Sequence, residues 1–238
     1  MPFCPKCGTE VQSSYNFCSV CGRALPEGEP GAIAQRVPDA LIRTSDYRIS
    51  PRRILLMTVL SYGLYLFYWF YLTWKQYRDH TGNEVFPVWH AMAIGIPIYS
   101  LFRTHAHMRS FKELMLDAGV ASSISAGWAV TLVLISGVLN GVSFNLTGGL
   151  AGSSEITRGT AVMSALLDLA SMTIVAGLLL HIQGNLNRYW ESLENLTLVD
   201  ARIGAGEVLL GIIGALVWLL TIASLVSPDL LAAPQPGI

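Results

Sequence analysis

From residue 54 onward the chain alternates between long apolar blocks and short polar stretches, whereas its first 50 residues are polar and rich in turn-forming residues. A helix needs about 20 apolar residues to cross a hydrocarbon core about 30 Å thick. The pattern therefore predicts five membrane-spanning helices, over residues 54–74, 86–102, 125–144, 161–182 and 203–226. The second of these is short and contains His90 and Pro97, so we expect it to be kinked.

This pattern divides the chain into three parts. Residues 51–238 form the predicted all-α polytopic membrane helical bundle. Residues 27–50 form a predicted flexible linker with prolines, glycines and scattered charges, and residues 1–26 a small module that contains every cysteine. Charged residues make up only 13% of the 238-residue chain, against about 25% in soluble proteins. That deficit argues against an ordinary soluble enzyme and indicates the lipid bilayer as a partner.

The four cysteines form two C-x2-C pairs, Cys4 with Cys7 and Cys18 with Cys21, and a glycine follows each pair. Two such pairs supply the four thiolates that a tetrahedral structural zinc site uses. The alternatives are two disulfides or a redox-active pair, which suit an oxidising compartment. The chain shows no basic segment followed by an apolar core at its N-terminus, so we favour one structural zinc ion.

Two segments resemble known families. The runs Phe3-Cys-Pro-Lys-Cys-Gly and Phe17-Cys-Ser-Val-Cys-Gly resemble the short zinc ribbon at the head of many bacterial and archaeal proteins. Residues 50–118, with the run Tyr62-Gly-Leu-Tyr-Leu-Phe-Tyr-Trp, are similar to an uncharacterised prokaryotic membrane domain, a domain of unknown function. That second resemblance implies a membrane location and carries over no catalytic residue.

Lysine and arginine predict the orientation of the chain in the membrane. They concentrate before the first predicted span, between the second and third, and between the fourth and fifth. Cytoplasmic loops carry the excess of these residues. We therefore expect a multi-pass protein of the cell (plasma) membrane with a cytoplasmic N-terminus and an external C-terminus. The net charge of −1 gives no basic field for nucleic acid, which is not expected as a partner.

Asp168 is the most conspicuous polar residue of the apolar blocks, because an ionised carboxylate is costly inside a membrane. Ser164 and Ser171 lie four residues before and three after it, on the same face of a helix. This polar stripe predicts either a proton or cation site, or a protonated carboxyl that joins helices. Glu207 lies near the start of the last block and forms a carboxylate pair with Asp168 only if the bundle brings the two together.

Aromatic residues crowd the first apolar block, and Tyr62, Tyr65 and Trp69 are predicted to share one helical face. Such a face can line a pocket for a lipid or an organic cation. The alternatives are an aromatic belt at the membrane interface or packing against other helices.

Two functional hypotheses follow. The first is a membrane-anchored binding or scaffold protein whose zinc ribbon recruits a cytosolic protein partner. The second is a small transporter or channel component that uses Asp168 for ion or proton handling. No catalytic constellation is readable, so an enzyme is not expected. Small-residue pairs such as Gly137 and Gly141 fit bundle packing and, as a rarer outcome, a homo-oligomer.

Overall fold

The computed structural model describes residues 43–149, 157–194 and 196–226, which belong to one compact unit that begins at Arg43. As predicted, they are mostly helical. The elements of the described chain are β1 (Arg43–Arg48), α1 (Pro51–Leu60), α2 (Tyr65–Thr81), α3 (Pro87–Met92), a 3-10 turn (Ala93–Gly95), α4 (Pro97–Asp117), α5 (Ala126–Leu146), α6 (Arg158–Glu191), β2 (Leu196–Asp200) and α7 (Ala205–Val226).

Three of the described helices, α5, α6 and α7, are long and apolar enough to cross a membrane. They coincide with the third, fourth and fifth predicted spans. Large apolar side chains such as Leu134, Leu166 and Leu216 are exposed on them, as a surface in contact with lipid requires. The described residues thus have the helices of a membrane protein, but five spans are not confirmed.

The first predicted span, 54–74, is wrong as a continuous helix. The chain forms α1, reverses over Ser61–Leu64 and continues as α2. Tyr62 and Gly63 have φ values of 54° and 85°, in the left-handed region, and the Gly63 amide donates to the Thr58 carbonyl at 2.7 Å. This bond closes the end of α1 as left-handed helix ends commonly do. Apolar composition alone does not predict such a reversal.

Helices α1 and α2 form a hairpin whose two ends lie at one end of the bundle. In the first turn of α1, Arg53 contacts Glu207 at the start of α7. In the last turn of α2, His80 contacts Tyr189 near the end of α6. The reversal at Tyr62 instead contacts Asp168, deep in α6. We call this pair the first re-entrant hairpin, because its two ends lie at the same end of the bundle.

The second predicted span, 86–102, is also not one helix. It consists of α3, the 3-10 turn and the start of α4, and Pro97 is the first residue of α4, where its missing N–H costs no helical bond. Near the reversal, Gly95 lies beside the Phe67 ring, whereas His90 of α3 and His107 of α4 both contact Trp74, farther along α2. These elements form the second re-entrant hairpin, and the kink expected at Pro97 is present as a full reversal.

Two further predictions need correction. The end of the predicted linker, residues 43–48, is the strand β1, which pairs in parallel with β2 in a two-stranded sheet, so the bundle is not purely α. The polar segment after residue 182 is helical rather than a loop, because α6 continues to Glu191. One face of its last turns is buried, and Trp190 packs against Tyr47 with ring centroids 4.5 Å apart. This tertiary packing extends α6 to a length of roughly 51 Å.

Candidate functional site

A cleft of about 580 Å³ lies where the tips of the two re-entrant hairpins meet α5 and α6. Tyr62 and Gly63 come from the first tip, and Gly95 and Pro97 from the second. The other lining residues are largely apolar. The polar groups of the lining are those of Tyr62, Ser100, Ser136, Asn140, Asp168 and Ser171. An apolar cleft with a few polar groups is the usual form of a small-molecule site.

Asp168 is partly exposed to this cleft and is held by the first hairpin. The Tyr62 hydroxyl donates to Asp168 Oδ2 at 2.8 Å. Thr221 Oγ1 of α7 donates in turn to the Tyr62 hydroxyl at 3.2 Å, and the Trp218 ring packs edge-on against the Tyr62 ring with centroids 5.0 Å apart. With its backbone in the left-handed region, Tyr62 directs its side chain toward Asp168 of α6 and Thr221 of α7. One hairpin tip therefore orients the carboxylate.

Ser164 and Ser171 are buried and join α6 to α5 rather than to Asp168. Ser171 lies 2.7 Å from Ser136, and Ser164 lies 2.7 Å from Ser143, between hydroxyl oxygens in each case. The seven-residue spacing on both antiparallel helices repeats the same contact two turns apart. These pairs satisfy polar groups that would be costly to bury in an apolar bundle. Ser136 and Ser171 also line the cleft.

Glu207 is fully buried in a separate ion pair. Arg53 Nε donates to Glu207 Oε1 at 2.8 Å, and the other guanidinium nitrogens reach Glu207 Oε2 and the carbonyls of Ala201 and Arg202. Burial lowers the pKa of Arg53, but the hydrogen bond and charge of Glu207 outweigh it and leave that pKa above its ordinary value.

The two carboxylates lie at different depths of the bundle. Asp168 is linked through Tyr62 to Thr221, and Thr221 follows Glu207 by about 21 Å along α7 at 1.5 Å per residue. The described structure therefore does not bring Asp168 and Glu207 together as a proton-relay pair.

Tyr62, Tyr65 and Trp69, which were predicted to share one helical face, do not all lie in the same environment. Tyr62 precedes α2 and faces the cleft, so it does not share a helical face with the other two. Tyr65 and Trp69 are fully buried in the core, and the Trp69 indole N–H donates to Gln183 Oε1 at 2.8 Å. Their surroundings match the packing alternative.

Sequence reasoning did not identify Asn140, Ser136 and Arg53 as partners of these sites. A weak signal existed for the serines, because Ser136 and Ser143 repeat the seven-residue spacing of Ser164 and Ser171. Asn140 and Arg53 carry no pattern that distinguishes them, since their positions in these sites depend on which helices pack together.

The predicted zinc ligands Cys4, Cys7, Cys18 and Cys21 lie outside the described residues. Within the described part of the chain, no group of three or more His, Cys, Asp or Glu side chains is placed to hold a metal ion. The donor set of four thiolates fits zinc, and a zinc ion bound there would hold the two C-x2-C turns together.

Comparison with known proteins identifies one region. Residues 3–25 match the family model of a zinc-ribbon domain, which confirms the predicted N-terminal ribbon and contains all four cysteines. No curated protein and no solved structure matches the chain. The similarity of residues 50–118 to a prokaryotic membrane domain stays a prediction.

Proposed function

We propose that the protein is a multi-pass membrane protein that presents its zinc ribbon to the cytoplasm and there recruits a protein partner. The observation that supports this proposal is the placement of basic residues. In the described chain, every lysine and arginine except Arg158 lies in or next to elements at the end of the bundle where α6 ends and α7 begins. Such an excess of basic residues is typical of the cytoplasmic side.

The two re-entrant hairpins increase the difference in basic residues between the two ends of the bundle. Five spans would place Lys75 and Arg78 on the side opposite to Arg48, whereas α2 returns them to the same side as β1. The chain enters the bundle at Arg43, so the ribbon that precedes it belongs on the basic side. A cytoplasmic position also keeps its thiols reduced. By the same argument we propose that the end of α7 lies on the external side of the cell membrane.

The ribbon itself supports a binding role. Four cysteine ligands leave a zinc ion no open position for water, which is the mark of a structural site. A module of this size depends on its metal for folding. We therefore infer that the ribbon is a folded surface for a partner, held at the membrane by the helical bundle.

The test is affinity capture with the full-length protein from detergent-solubilised membranes. We expect wild type to retain a cytosolic protein reproducibly, and Cys4→Ser or Cys18→Ser to lose it because the ribbon unfolds. Asp168→Asn is the matched control, since it changes the bundle and leaves the ribbon intact. Capture that survives Cys4→Ser, or that is lost only with Asp168→Asn, contradicts the proposal.

A second candidate function is a small transporter or channel component. Its specific support is the position of Asp168, on a helix apolar enough to cross a membrane, in a cleft bounded by two reversals of the chain. Inside a membrane, irregular backbone is tolerated where it is covered by protein or lines a cavity, and broken helices occur at transporter binding sites.

Proton flux into dye-loaded proteoliposomes tests this second function. Wild type is expected to dissipate an imposed pH gradient faster than empty liposomes, and Asp168→Asn to abolish the difference. Asp79→Asn is the control, because Asp79 is exposed and pairs with Arg78 away from the cleft. Equal flux in wild type and Asp168→Asn contradicts the hypothesis.

A further inference from the structure

We propose that the cleft binds a hydrophobic organic cation, whose charge faces the Asp168 carboxylate. The proposal concerns binding and goes beyond recruitment by the ribbon. It shares the cleft and Asp168 with the transporter hypothesis, but cation binding without proton flux would support the binding proposal and reject the transporter hypothesis.

The charge of the lining is the first argument. Asp168 is the single acidic residue among the described residues that line the cleft, and none of them is lysine, arginine or histidine. The Tyr62 hydroxyl orients one carboxylate oxygen but contributes no positive charge. A carboxylate in apolar surroundings is costly without an opposite charge. A cation that enters the cleft supplies that charge.

The walls provide the second argument. Leu66, Phe67, Leu134, Val138 and Val175 surround the polar centre with apolar surface. The volume of about 580 Å³ falls within the range of small-molecule pockets, about 300–1,000 Å³. The rings of Tyr62 and Phe67 add faces on which a desolvated cation is stabilised. A ligand that complements this lining is therefore apolar and carries one positive charge.

The same lining disfavours a zwitterionic phospholipid. Its headgroup would bring an anionic phosphate beside its amine, and the described lining residues offer no basic partner for that phosphate. An unpaired anion next to Asp168 would be repelled. A net cation satisfies the carboxylate without this cost.

The experiment measures binding of tetraphenylphosphonium to the full-length protein in phosphatidylcholine nanodiscs by equilibrium dialysis, with empty nanodiscs as background. We expect saturable binding to wild type and at least about tenfold weaker binding to Asp168→Asn, which removes the charge at constant shape. Asp79→Asn should bind as wild type does. The neutral analogue triphenylphosphine oxide should bind weakly to all three proteins.

A second variant tests the cleft without altering the charge. A Cβ added at Gly137 meets no atom within 4 Å, and Gly137 lines the cleft, so Gly137→Leu should fill the cleft and abolish binding. Gly127→Leu is its control on the same helix, because Gly127 also has open space and is outside the lining.

Three results would overturn the inference. They are binding no greater than in empty nanodiscs, equal affinity of wild type and Asp168→Asn, and equal affinity for the cation and the neutral analogue. Native mass spectrometry gives a further test. One tightly held phospholipid in wild type and in Asp168→Asn, but not in Gly137→Leu, would show that the cleft binds lipid and would also reject the organic-cation proposal.

Discussion

At the scale of single residues, the most unusual environment outside the three membrane-spanning helices is that of His107. Its side chain is fully buried and is surrounded by the rings of Trp69, Phe70, Trp74 and Phe111. Burial, and secondarily the charge of Arg103, lower the pKa of His107 to about 3. The imidazole is therefore neutral in the folded protein at physiological pH.

This pKa predicts an acid sensitivity. The unfolded chain takes up a proton at His107 near the ordinary pKa of about 6.5, whereas the folded protein does not until about pH 3. The contribution of His107 to stability is thus complete above about pH 6.5 and is lost as the pH falls below it. We expect the free energy of unfolding to fall by about 1.4 kcal/mol per pH unit through this group alone.

Denaturant unfolding in detergent at pH 7.5, 6, 5 and 4 measures the effect. His107→Phe keeps an aromatic ring in the pocket and should make the free energy of unfolding less dependent on pH than in wild type. His105→Gln is the control, since His105 is exposed on the same helix, and it should leave the slope unchanged. An unaltered slope in His107→Phe would show that another group is responsible.

At the scale of elements, the first re-entrant hairpin depends on the close approach of α7. A Cβ at Gly214 would collide with the backbone of Leu60 and Ser61, at the reversal between α1 and α2. Backbone atoms cannot move aside as a flexible side chain does. Glycine at this position therefore permits the contact that places Tyr62 beside Thr221.

Gly214→Ala is expected to destabilise the protein by about 1–3 kcal/mol, the usual cost of overpacking. Thermal unfolding followed by circular dichroism measures it. Gly177→Ala on α6 is the matched control, because a Cβ there meets no neighbour and should leave the melting temperature unchanged or raise it. A wild-type melting temperature in Gly214→Ala would mean that the hairpin is not packed against α7 in this way.

The elements also show what could be predicted from sequence. Helices α5, α6 and α7 were predicted because their apolar runs are long enough by themselves. The hairpins were not predicted, because the blocks that contain them are apolar throughout. The first helix is interrupted only by the left-handed φ angles of Tyr62 and Gly63, which the apolar pattern does not indicate. Asp168 was identified by its cost in a membrane. Its hydrogen-bond partner Tyr62 could not be identified, because Tyr62 reaches Asp168 only through the reversal between α1 and α2.

At the scale of the whole molecule, the four cysteines of the ribbon predict one zinc ion per chain. The ribbon match at residues 3–25 contains the four cysteines, and within the described part of the chain no His, Cys, Asp or Glu cluster competes for the metal. Elemental analysis of protein purified under reducing, metal-replete conditions should give one zinc per chain, and Cys4→Ser together with Cys18→Ser should give none. A wild-type value near zero would contradict the zinc site.

The central inference is a proposed topology, in which the chain crosses the membrane three times and the α1–α2 hairpin returns to the side from which it enters. Asn83 lies in the segment after α2 and is exposed, and Thr147 follows α5 at the opposite end of the bundle. The four native cysteines all precede residue 22, so we expect them on the cytoplasmic side, where an impermeant reagent cannot reach them.

The decisive measurement is labelling of Asn83→Cys in intact cells with a membrane-impermeant maleimide, with Thr147→Cys as the control for external exposure. The proposed topology predicts that Thr147→Cys is labelled and that Asn83→Cys is labelled only after the membrane is permeabilised. Labelling of Asn83→Cys in intact cells would mean that residues 54–74 cross the membrane, which would contradict the re-entrant hairpin and the orientation derived from it.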